Sequence, residues 1–190
     1  MYKRQRLTSE FDVTAQLHPG RNVLAAAVSQ WSDGTFLEDQ DMWRMSGIFR
    51  EVTLLARPHG GIDDLFVHAA WEGDAKLLID GPDGATVTIP ELAVTTTCNT
   101  EVTIPDVQPW TAETPRLYDA TVSTDTETVT VKIGFRTVAI DGDIITVNGG
   151  KIVFRGVNRH EWHPRTERTL DEETMRADLE LMKRHGVNAI

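Results

Sequence analysis

The sequence predicts a mainly β fold that changes to a β/α arrangement near its end. Short candidate strands rich in Thr and Val, separated by turn signals, fill residues 62–140, which is typical of an antiparallel β-sandwich. One segment with helical periodicity, 171–185, lies between the apolar segments 152–154 and 187–190. The order strand, loop, helix, strand predicts a parallel β/α unit. The chain therefore divides into three pieces, residues 1–57, 58–140 and 141–190.

The first piece contains three candidate strands. Residues 11–15 alternate apolar and polar side chains, which predicts a half-buried strand, and residues 23–28 predict a mostly buried one. His18-Pro-Gly-Arg-Asn22 supplies a turn between them, and residues 48–55 predict the third strand. The Pro/Gly-rich run at residues 57–61 is typical of a boundary between domains.

The middle piece is predicted to be a framework without chemistry of its own. Its candidate strands are residues 65–71, 76–79, 85–89, 101–104, 117–123 and 128–133. Gly81-Pro-Asp-Gly84 predicts a turn. The single cysteine, Cys98, lies in a Thr-rich run, so we expect a strand residue rather than a catalytic thiol. It cannot form a disulfide within the chain.

The helix of the last piece has signals at both ends. Asp171 is the expected N-cap, and Glu172 and Glu173 place negative charge in the first turn. Gly186 stands where a left-handed C-terminal cap is expected. Because two strands alone do not make a parallel sheet, we expect the chain to be part of a longer protein.

The composition is acidic. A formal net charge of −10 disfavours nucleic acid as a partner, because phosphate contacts need a basic surface. The basic start of the chain lacks the apolar stretch of a signal peptide, and no segment approaches the length of a membrane span. We therefore expect a soluble cytoplasmic protein with neither a nucleic-acid nor a membrane partner.

The loop from Leu37 to Arg50 is the first candidate site. It contains three carboxylates, a tryptophan and two methionines between two candidate strands. Carboxylates accept hydrogen bonds from sugar hydroxyls or hold a cation, and an aromatic face covers sugar C–H groups, so the loop suits a carbohydrate. From the residues alone, a solvated acidic connection above one buried tryptophan is the favoured interpretation.

The loop from Arg155 to Pro164 is the second candidate site. It follows the C-terminal end of a candidate strand, where β/α folds carry their active sites. Its Asn, Arg, His, Glu and Trp side chains suit a polyhydroxy ligand. A metal site at His160 and His163 is disfavoured, because a spacing of three on an extended chain sends the side chains to opposite faces. The simpler alternative for His160 is a partly buried histidine satisfied by its own loop.

Other catalytic motifs are missing from the sequence. It has no Gly-rich phosphate loop, no GxSxG nucleophile elbow and no CxxC pair. Residue spacing alone does not pair a general acid with a nucleophile.

Two long motifs resemble the large β-galactosidases of glycoside hydrolase family 2. They are Trp31-Ser-Asp-Gly-Thr-Phe-Leu-Glu-Asp-Gln-Asp-Met-Trp-Arg-Met-Ser-Gly-Ile-Phe-Arg50 and Phe154-Arg-Gly-Val-Asn-Arg-His-Glu-Trp-His-Pro164. The terminal Asn188-Ala-Ile190 is similar to the opening of the family's signature. The Asp-Gln-Asp-Met-Trp-Arg-Met-Ser-Gly core favours this branch over the β-glucuronidase and β-mannosidase branches. Asn148-Gly-Gly-Lys151 departs from the family's usual Asn-Gly-Lys-Pro.

The resemblance implies an architecture for the three pieces. Residues 1–57 would be the C-terminal part of a jelly-roll sugar-binding domain, and residues 58–140 an immunoglobulin-like β-sandwich. Residues 141–190 would start a catalytic (β/α)8 barrel, or TIM barrel. In the family, a loop of the jelly roll reaches the active site of the barrel.

The resemblance also implies site residues. Asp41 resembles the aspartate that contacts the galactose 6-hydroxyl and a bound sodium ion. His160 resembles the barrel histidine that hydrogen-bonds a galactose hydroxyl, and Asp33 resembles a ligand of a structural magnesium ion. Trp43 and Arg44 are implied to position the loop.

The family's chemistry implies that the chain lacks the reacting groups. Members hydrolyse terminal β-D-galactosides such as lactose with retention, using a nucleophilic Glu and an acid/base Glu about 5–5.5 Å apart. Both belong to later barrel strands, so we expect no catalytic residue within residues 1–190 and no activity from the chain alone. The full-length enzyme is implied to use Mg²⁺ and Na⁺ and to be a homo-oligomer. The alternative, from a different class, is a non-catalytic carbohydrate-binding or structural β-sandwich.

Overall fold

The structure is a computed structural model that describes residues 9–29, 31, 47–48 and 50–190. It divides into two compact units, Met1–Glu51 and Val52–Ile190. The described residues are mostly strands with one α-helix, so the predicted mainly β fold class is confirmed. No helix in the described part of the chain combines the length and the apolar character needed to cross a membrane.

The described residues of the first unit form little regular structure. Their one short element is a 3-10 helix at Thr14–Gln16. The predicted turn that begins at His18 is confirmed, because the side chain of Asn22 closes it. Asn22 accepts a hydrogen bond from the His18 backbone N–H at 3.2 Å and donates one to the His18 carbonyl at 2.8 Å.

The three strands predicted for the first piece are wrong for the described residues. Residues 11–15, 23–28 and 50–55 belong to no strand. Val23 and Leu24, expected in a mostly buried strand, are 80% and 75% exposed. A strand is stable only where a neighbour completes its ladder and one face is covered, and the described part of these segments has neither.

The described residues contain ten strands and the helix α1. They are β1 (Phe66–Glu72), β2 (Asp74–Asp80), β3 (Thr86–Ile89), β4 (Val94–Thr97), β5 (Val102–Ile104), β6 (Tyr118–Ser123), β7 (Thr128–Ile133), β8 (Val138–Asp141), β9 (Ile144–Val147), β10 (Gly150–Lys151) and α1 (Glu172–Arg184). A 3-10 turn, Pro90–Leu92, separates β3 from β4.

Two antiparallel sheets, in the orders β1-β2-β5 and β4-β3-β6-β7, form the sandwich. All six candidate strands of the middle piece are present, with ends within a few residues, and β4 lies at the Thr-rich run where a strand that includes Cys98 was expected. The core lies between the two sheets. Buried side chains alternate along β2 with more exposed ones, and the buried Leu77 and Ile79 are 1% and 2% exposed. Each such aliphatic side chain contributes about 1.5–3 kcal/mol on burial.

Cys98 lies in the turn directly after β4, rather than within a strand as predicted. It is 4% exposed and packs in the sandwich core. Burial raises the pKa of its thiol, which disfavours the reactive thiolate. A structural role therefore fits it better than a catalytic one.

The third sheet, in the order β10-β9-β8, was not predicted. A two-residue loop joins β8 to β9, with Gly142 at φ +62° in its first position. Asn148 and Gly149 join β9 to β10, and both have positive φ, at +50° and +76°. Two consecutive positive φ angles are typical of the type I′ hairpin turn, which Asn-Gly favours.

The predicted helix is confirmed with both of its caps. Asp171 has extended backbone and accepts a hydrogen bond from the Thr174 N–H at 2.8 Å. Gly186, at φ +74°, ends the helix with a pair of backbone hydrogen bonds of the Schellman type.

The strands predicted at residues 152–154 and 187–190 are absent. In their place is one parallel bridge between Gly156 and Ala189, because no further strand pairs with either segment among the described residues.

Candidate functional site

The segment that leads into the second candidate loop is fixed by Asn188. Its Oδ1 accepts a hydrogen bond from the Arg155 N–H at 2.7 Å, and its Nδ2 donates to the Val153 carbonyl at 3.0 Å. The Asn188 N–H also donates to the Arg155 carbonyl at 3.0 Å. A Cβ on Gly156 would lie 3.3 Å from the Cβ of Ala189, so glycine allows the close approach of the two segments. The loop thus begins at the C-terminal edge of a parallel pair.

Arg159 ties the middle of the loop to α1. Its Nε and Nη2 donate to Oδ2 of Asp178 at 3.0 and 2.8 Å. The side chain of Arg159 is 13% exposed and that of Asp178 is 42% exposed, so the ion pair is partly shielded from water. The contact holds the loop against the helix that follows it.

His163 folds the second half of the loop back on itself. Its backbone N–H and carbonyl exchange two hydrogen bonds with Glu167, each 2.8 Å long. Its Nδ1 lies 3.2 Å from the Thr166 hydroxyl and 3.3 Å from the Thr166 N–H. His163 also lowers the pKa of Asp171, after the larger effect of the hydrogen bonds from Thr174. These contacts give His163 a structural role in the loop.

His160 lies between the ties made by Arg159 and His163. Its backbone carbonyl accepts a hydrogen bond from the Trp162 N–H at 2.9 Å, while the residue as a whole is exposed. The alternative of a partly buried histidine is therefore wrong. A neutral imidazole offers one N–H donor and one nitrogen acceptor, and both suit a sugar hydroxyl.

Residues 37–46 and 49 of the first candidate loop lie outside the described residues. This holds for Asp33, Asp41, Trp43 and Arg44, whose implied roles stay predictions. Among the residues that the structure does describe, no group of three or more His, Cys, Asp or Glu side chains gathers to hold a metal ion.

Sequence reasoning did not identify Arg159 and Asn188 as the ties of the loop. Arg159 belongs to the quoted motif, but its partner Asp178 is nineteen residues away on α1, a contact that spacing does not reveal. Asn188 belongs to the terminal motif, but its partners Arg155 and Val153 are 33 and 35 residues away, contacts that spacing does not reveal either.

Three models of one family match nearly the whole chain. The sugar binding domain of glycosyl hydrolases family 2 matches residues 1–58, a further domain described as glycosyl hydrolases family 2 matches 62–136, and the TIM barrel domain matches 138–190.

Curated relatives carry the name β-galactosidase. The chain is 46% identical to the β-galactosidase of Arthrobacter sp. (strain B7) over 97% of its own length and 19% of the relative's. It is 38% identical to that of Pectobacterium atrosepticum and 40% identical to that of Enterobacter cloacae, covering 97% of the chain and 22% of each relative. The chain thus spans about a fifth of the length of the relatives it matches.

Solved structures show the fold. The β-glucuronidase of Ruminococcus gnavus in complex with uronic isofagomine superposes with a TM-score of 0.60 at 21% identity, over 67% of this chain and 24% of that one. A β-glucuronidase from Lactobacillus rhamnosus gives a TM-score of 0.55 at 24% identity, over 66% and 24%. With family models along nearly its whole length and the same fold in these enzymes, the chain belongs to glycosyl hydrolase family 2.

Proposed function

We propose that the full-length protein is a β-galactosidase that hydrolyses terminal β-D-galactosides such as lactose. The observation that carries this proposal is the 46% identity to the Arthrobacter β-galactosidase over 97% of the chain. The two β-glucuronidases described above are 21% and 24% identical, so they support the architecture and not the substrate. The exposed His160 on a loop at the edge of a parallel pair is compatible with a sugar site.

The proposed reaction is hydrolysis with retention. A carboxylate attacks the anomeric carbon, a carboxylic acid protonates the leaving oxygen, and water then releases galactose from the galactosyl-enzyme. Both glutamates belong to barrel strands outside residues 1–190, so the chain alone is proposed to have no turnover.

The proposed contribution of this chain is binding and orientation of the galactosyl group. His160 would hydrogen-bond one hydroxyl, held in place by the Arg159–Asp178 pair beside it. Asp41 would bind the 6-hydroxyl, and with Asp33 it would supply carboxylate oxygens, which suit Na⁺ and Mg²⁺. The sodium ion at Asp41 would add fixed positive charge near the sugar, whereas the magnesium ion at Asp33 would be structural. Cytoplasmic location and homo-oligomeric assembly of the full-length enzyme belong to the same proposal.

The test of the proposed function compares substrates and variants of the full-length protein. It should cleave nitrophenyl β-D-galactoside faster than nitrophenyl β-D-glucuronide. His160→Ala should lower kcat/KM about 10- to 100-fold, since it removes a hydrogen bond to the bound sugar. His59→Ala, at another exposed histidine, is the matched control and should act like the wild type. A glucuronide preference, or full activity of the His160 variant, would contradict the proposal.

A second measurement separates the enzyme from the alternative of a binding module. The coding sequence after Ile190 should continue through two later barrel glutamates, and the 190-residue chain should neither hydrolyse galactosides nor bind galactose measurably. A stop codon after Ile190 together with tight galactose binding by the chain would favour the non-catalytic module.

A further inference from the structure

Asn148 joins the sheet of β8, β9 and β10 to the sandwich. Its Oδ1 accepts a hydrogen bond from the Thr137 N–H at 2.9 Å, and its Nδ2 donates to the Trp110 carbonyl at 3.0 Å. Its backbone N–H donates to the Thr137 carbonyl at 2.8 Å. Trp110 lies between β5 and β6, whereas Thr137 lies between β7 and β8. Asn148, Thr137 and Trp110 together are called the Asn148 junction.

Thr137 extends the junction into the first strand of the sandwich. Its hydroxyl donates to the Trp71 carbonyl at 2.8 Å and accepts from the Trp71 N–H at 3.1 Å. Asn148 is half-buried, whereas Gly149 is exposed and open space surrounds the position of a Cβ. Both ends of the Asn148 amide are therefore held, while the residue that follows it is open to water.

An asparagine followed by glycine is the sequence most open to intramolecular deamidation. Gly149 has no Cβ to hinder the approach of its backbone nitrogen to Cγ of Asn148. When that nitrogen attacks, the new N–Cγ bond closes a five-membered succinimide. The bond from Cγ to Nδ2 breaks, and Nδ2 leaves as ammonia with the amide proton of Gly149. Water then opens either succinimide carbonyl, which gives aspartate or isoaspartate. This is the one Asn-Gly pair in the sequence.

We propose that Asn148 is a site of spontaneous deamidation that is controlled by opening of the Asn148 junction. For attack, Cγ must turn away from Thr137 and Trp110 towards the nitrogen of Gly149. The reaction therefore waits until the hydrogen bonds at 2.9 and 3.0 Å are broken. Local opening of this kind precedes many reactions of folded chains.

The product cannot re-form the hydrogen bond from Nδ2 to the Trp110 carbonyl. In aspartate at position 148 a carboxylate oxygen replaces Nδ2, so an acceptor faces the Trp110 carbonyl where a donor stood. Isoaspartate adds a main-chain carbon to a two-residue turn whose residues have φ of +50° and +76°. Deamidation would thus weaken the connection between the third sheet and the sandwich at Trp110.

The test compares deamidation in the folded and the urea-unfolded 190-residue chain at one mildly alkaline pH. Tryptic digestion gives a peptide of residues 137–151, and mass spectrometry follows its gain in mass. Isomerisation at Asp141-Gly142 in the same peptide leaves the mass unchanged. We expect the folded chain to react at least about tenfold more slowly, because only its open fraction reacts. Equal rates, or an unfolded chain that does not deamidate at Asn148, would overturn the proposal.

Two threonine variants test whether the Asn148 junction limits the rate of deamidation. Thr137→Ala removes both contacts with Trp71 and should speed deamidation of the folded chain severalfold. Thr146→Ala is the matched control, because its hydroxyl bonds within the third sheet to the Ala139 carbonyl, and it should react like the wild type. If Thr137→Ala does not fold, wild type in urea below its unfolding midpoint replaces it. There the deamidation rate must rise with amide exchange at Thr137, and a rate that does not follow this exchange contradicts the proposal.

Asn99 is an internal control in every sample. It too has positive φ, at +63°, and its Nδ2 donates to the Gly81 carbonyl at 3.1 Å. Because Thr100 follows it, we expect no deamidation there in the folded or unfolded chain over the same time. Reaction at Asn99 as fast as at Asn148 would contradict the proposed dependence on Gly149.

Discussion

The sandwich and the segment that carries His160 are built in opposite ways. In the sandwich, Phe135 is 0% and Leu77 1% exposed, and the two sheets close their own core. In residues 152–190, Leu170 is buried, but Val153 is 63% and Phe154 60% exposed. The sandwich is stabilised by apolar burial, whereas the site-bearing segment is stabilised mainly by polar ties and helix caps.

This difference places the framework and the candidate site in separate regions. A closed core opens rarely, while a loop with few buried contacts opens locally at lower free energy. The Asn188 clamp fixes the start of the loop and the Arg159–Asp178 pair fixes its middle, without burying it. His160 therefore stays exposed on a positioned loop, which is compatible with its proposed role in binding a sugar.

The largest expected effect is in the sandwich core. Phe135→Ala removes a fully buried ring that makes an edge contact with Tyr118 at 5.8 Å, and it should lower the free energy of unfolding by about 3–5 kcal/mol. The matched variant Phe154→Ala removes an exposed ring, and its effect should stay within about 0.5 kcal/mol. Urea unfolding measures both. Equal losses would contradict the contrast between the two regions.

A smaller effect is expected at the tie between the loop and α1. Arg159→Leu removes two hydrogen bonds to Asp178, which contribute roughly 1–2 kcal/mol given the partial exposure of the carboxylate. Thermolysin cleavage within residues 155–170 should become about five- to thirtyfold faster, because it follows the open population.

The control for the tie lies on the same helix. Arg176→Leu removes an exposed ion pair with Glu172, in which Nη2 of the arginine lies 2.7 Å from Oε1 of the glutamate. This variant should leave cleavage of the loop nearly unchanged. If both variants speed cleavage equally, the loop does not depend on the Arg159 tie.

The smallest expected effect is the pH dependence of α1. The hydrogen bonds from Thr174, helped by His163, lower the pKa of Asp171, so the ionised cap is favoured in the folded helix. Its stabilising contribution is present above about pH 4 and is lost as the pH falls further through the lowered pKa. Asp171→Asn keeps an acceptor without a charge, and its far-UV circular dichroism should lose this dependence. An unchanged acid transition in the variant would contradict the assignment.

The fold was predictable where the apolar pattern of a segment is matched by a neighbouring strand or sheet that pairs with it and covers it. The alternation of β2 shows which face is buried, and the sheets supply that face, so the middle strands were found. Residues 23–28 carry an apolar pattern, but the described residues supply no ladder for it. The β8–β9 hairpin was missed even though Asp141-Gly142, flanked by apolar residues, is a strong hairpin signal.

The site was predictable only in part. The motif around His160 indicated a sugar-binding loop, and the structure places that residue on an exposed, anchored loop. The Arg159–Asp178 contact joins residues on different elements, and spacing along the chain does not report such a contact. The roles of Asp33 and Asp41 stay predictions, since these residues lie outside the described part of the chain.

Native-state hydrogen exchange of the 190-residue chain tests the contrast between the regions most directly. The amides of Val87 and Val122, two fully buried residues that pair between β3 and β6, should exchange only by global unfolding of the sandwich. The amide of Val157, which donates to the Ala189 carbonyl at 3.3 Å, should exchange by local opening and at least about a hundredfold faster. Equal protection of these amides would show that the site-bearing segment shares the stability of the sandwich, and would contradict the account.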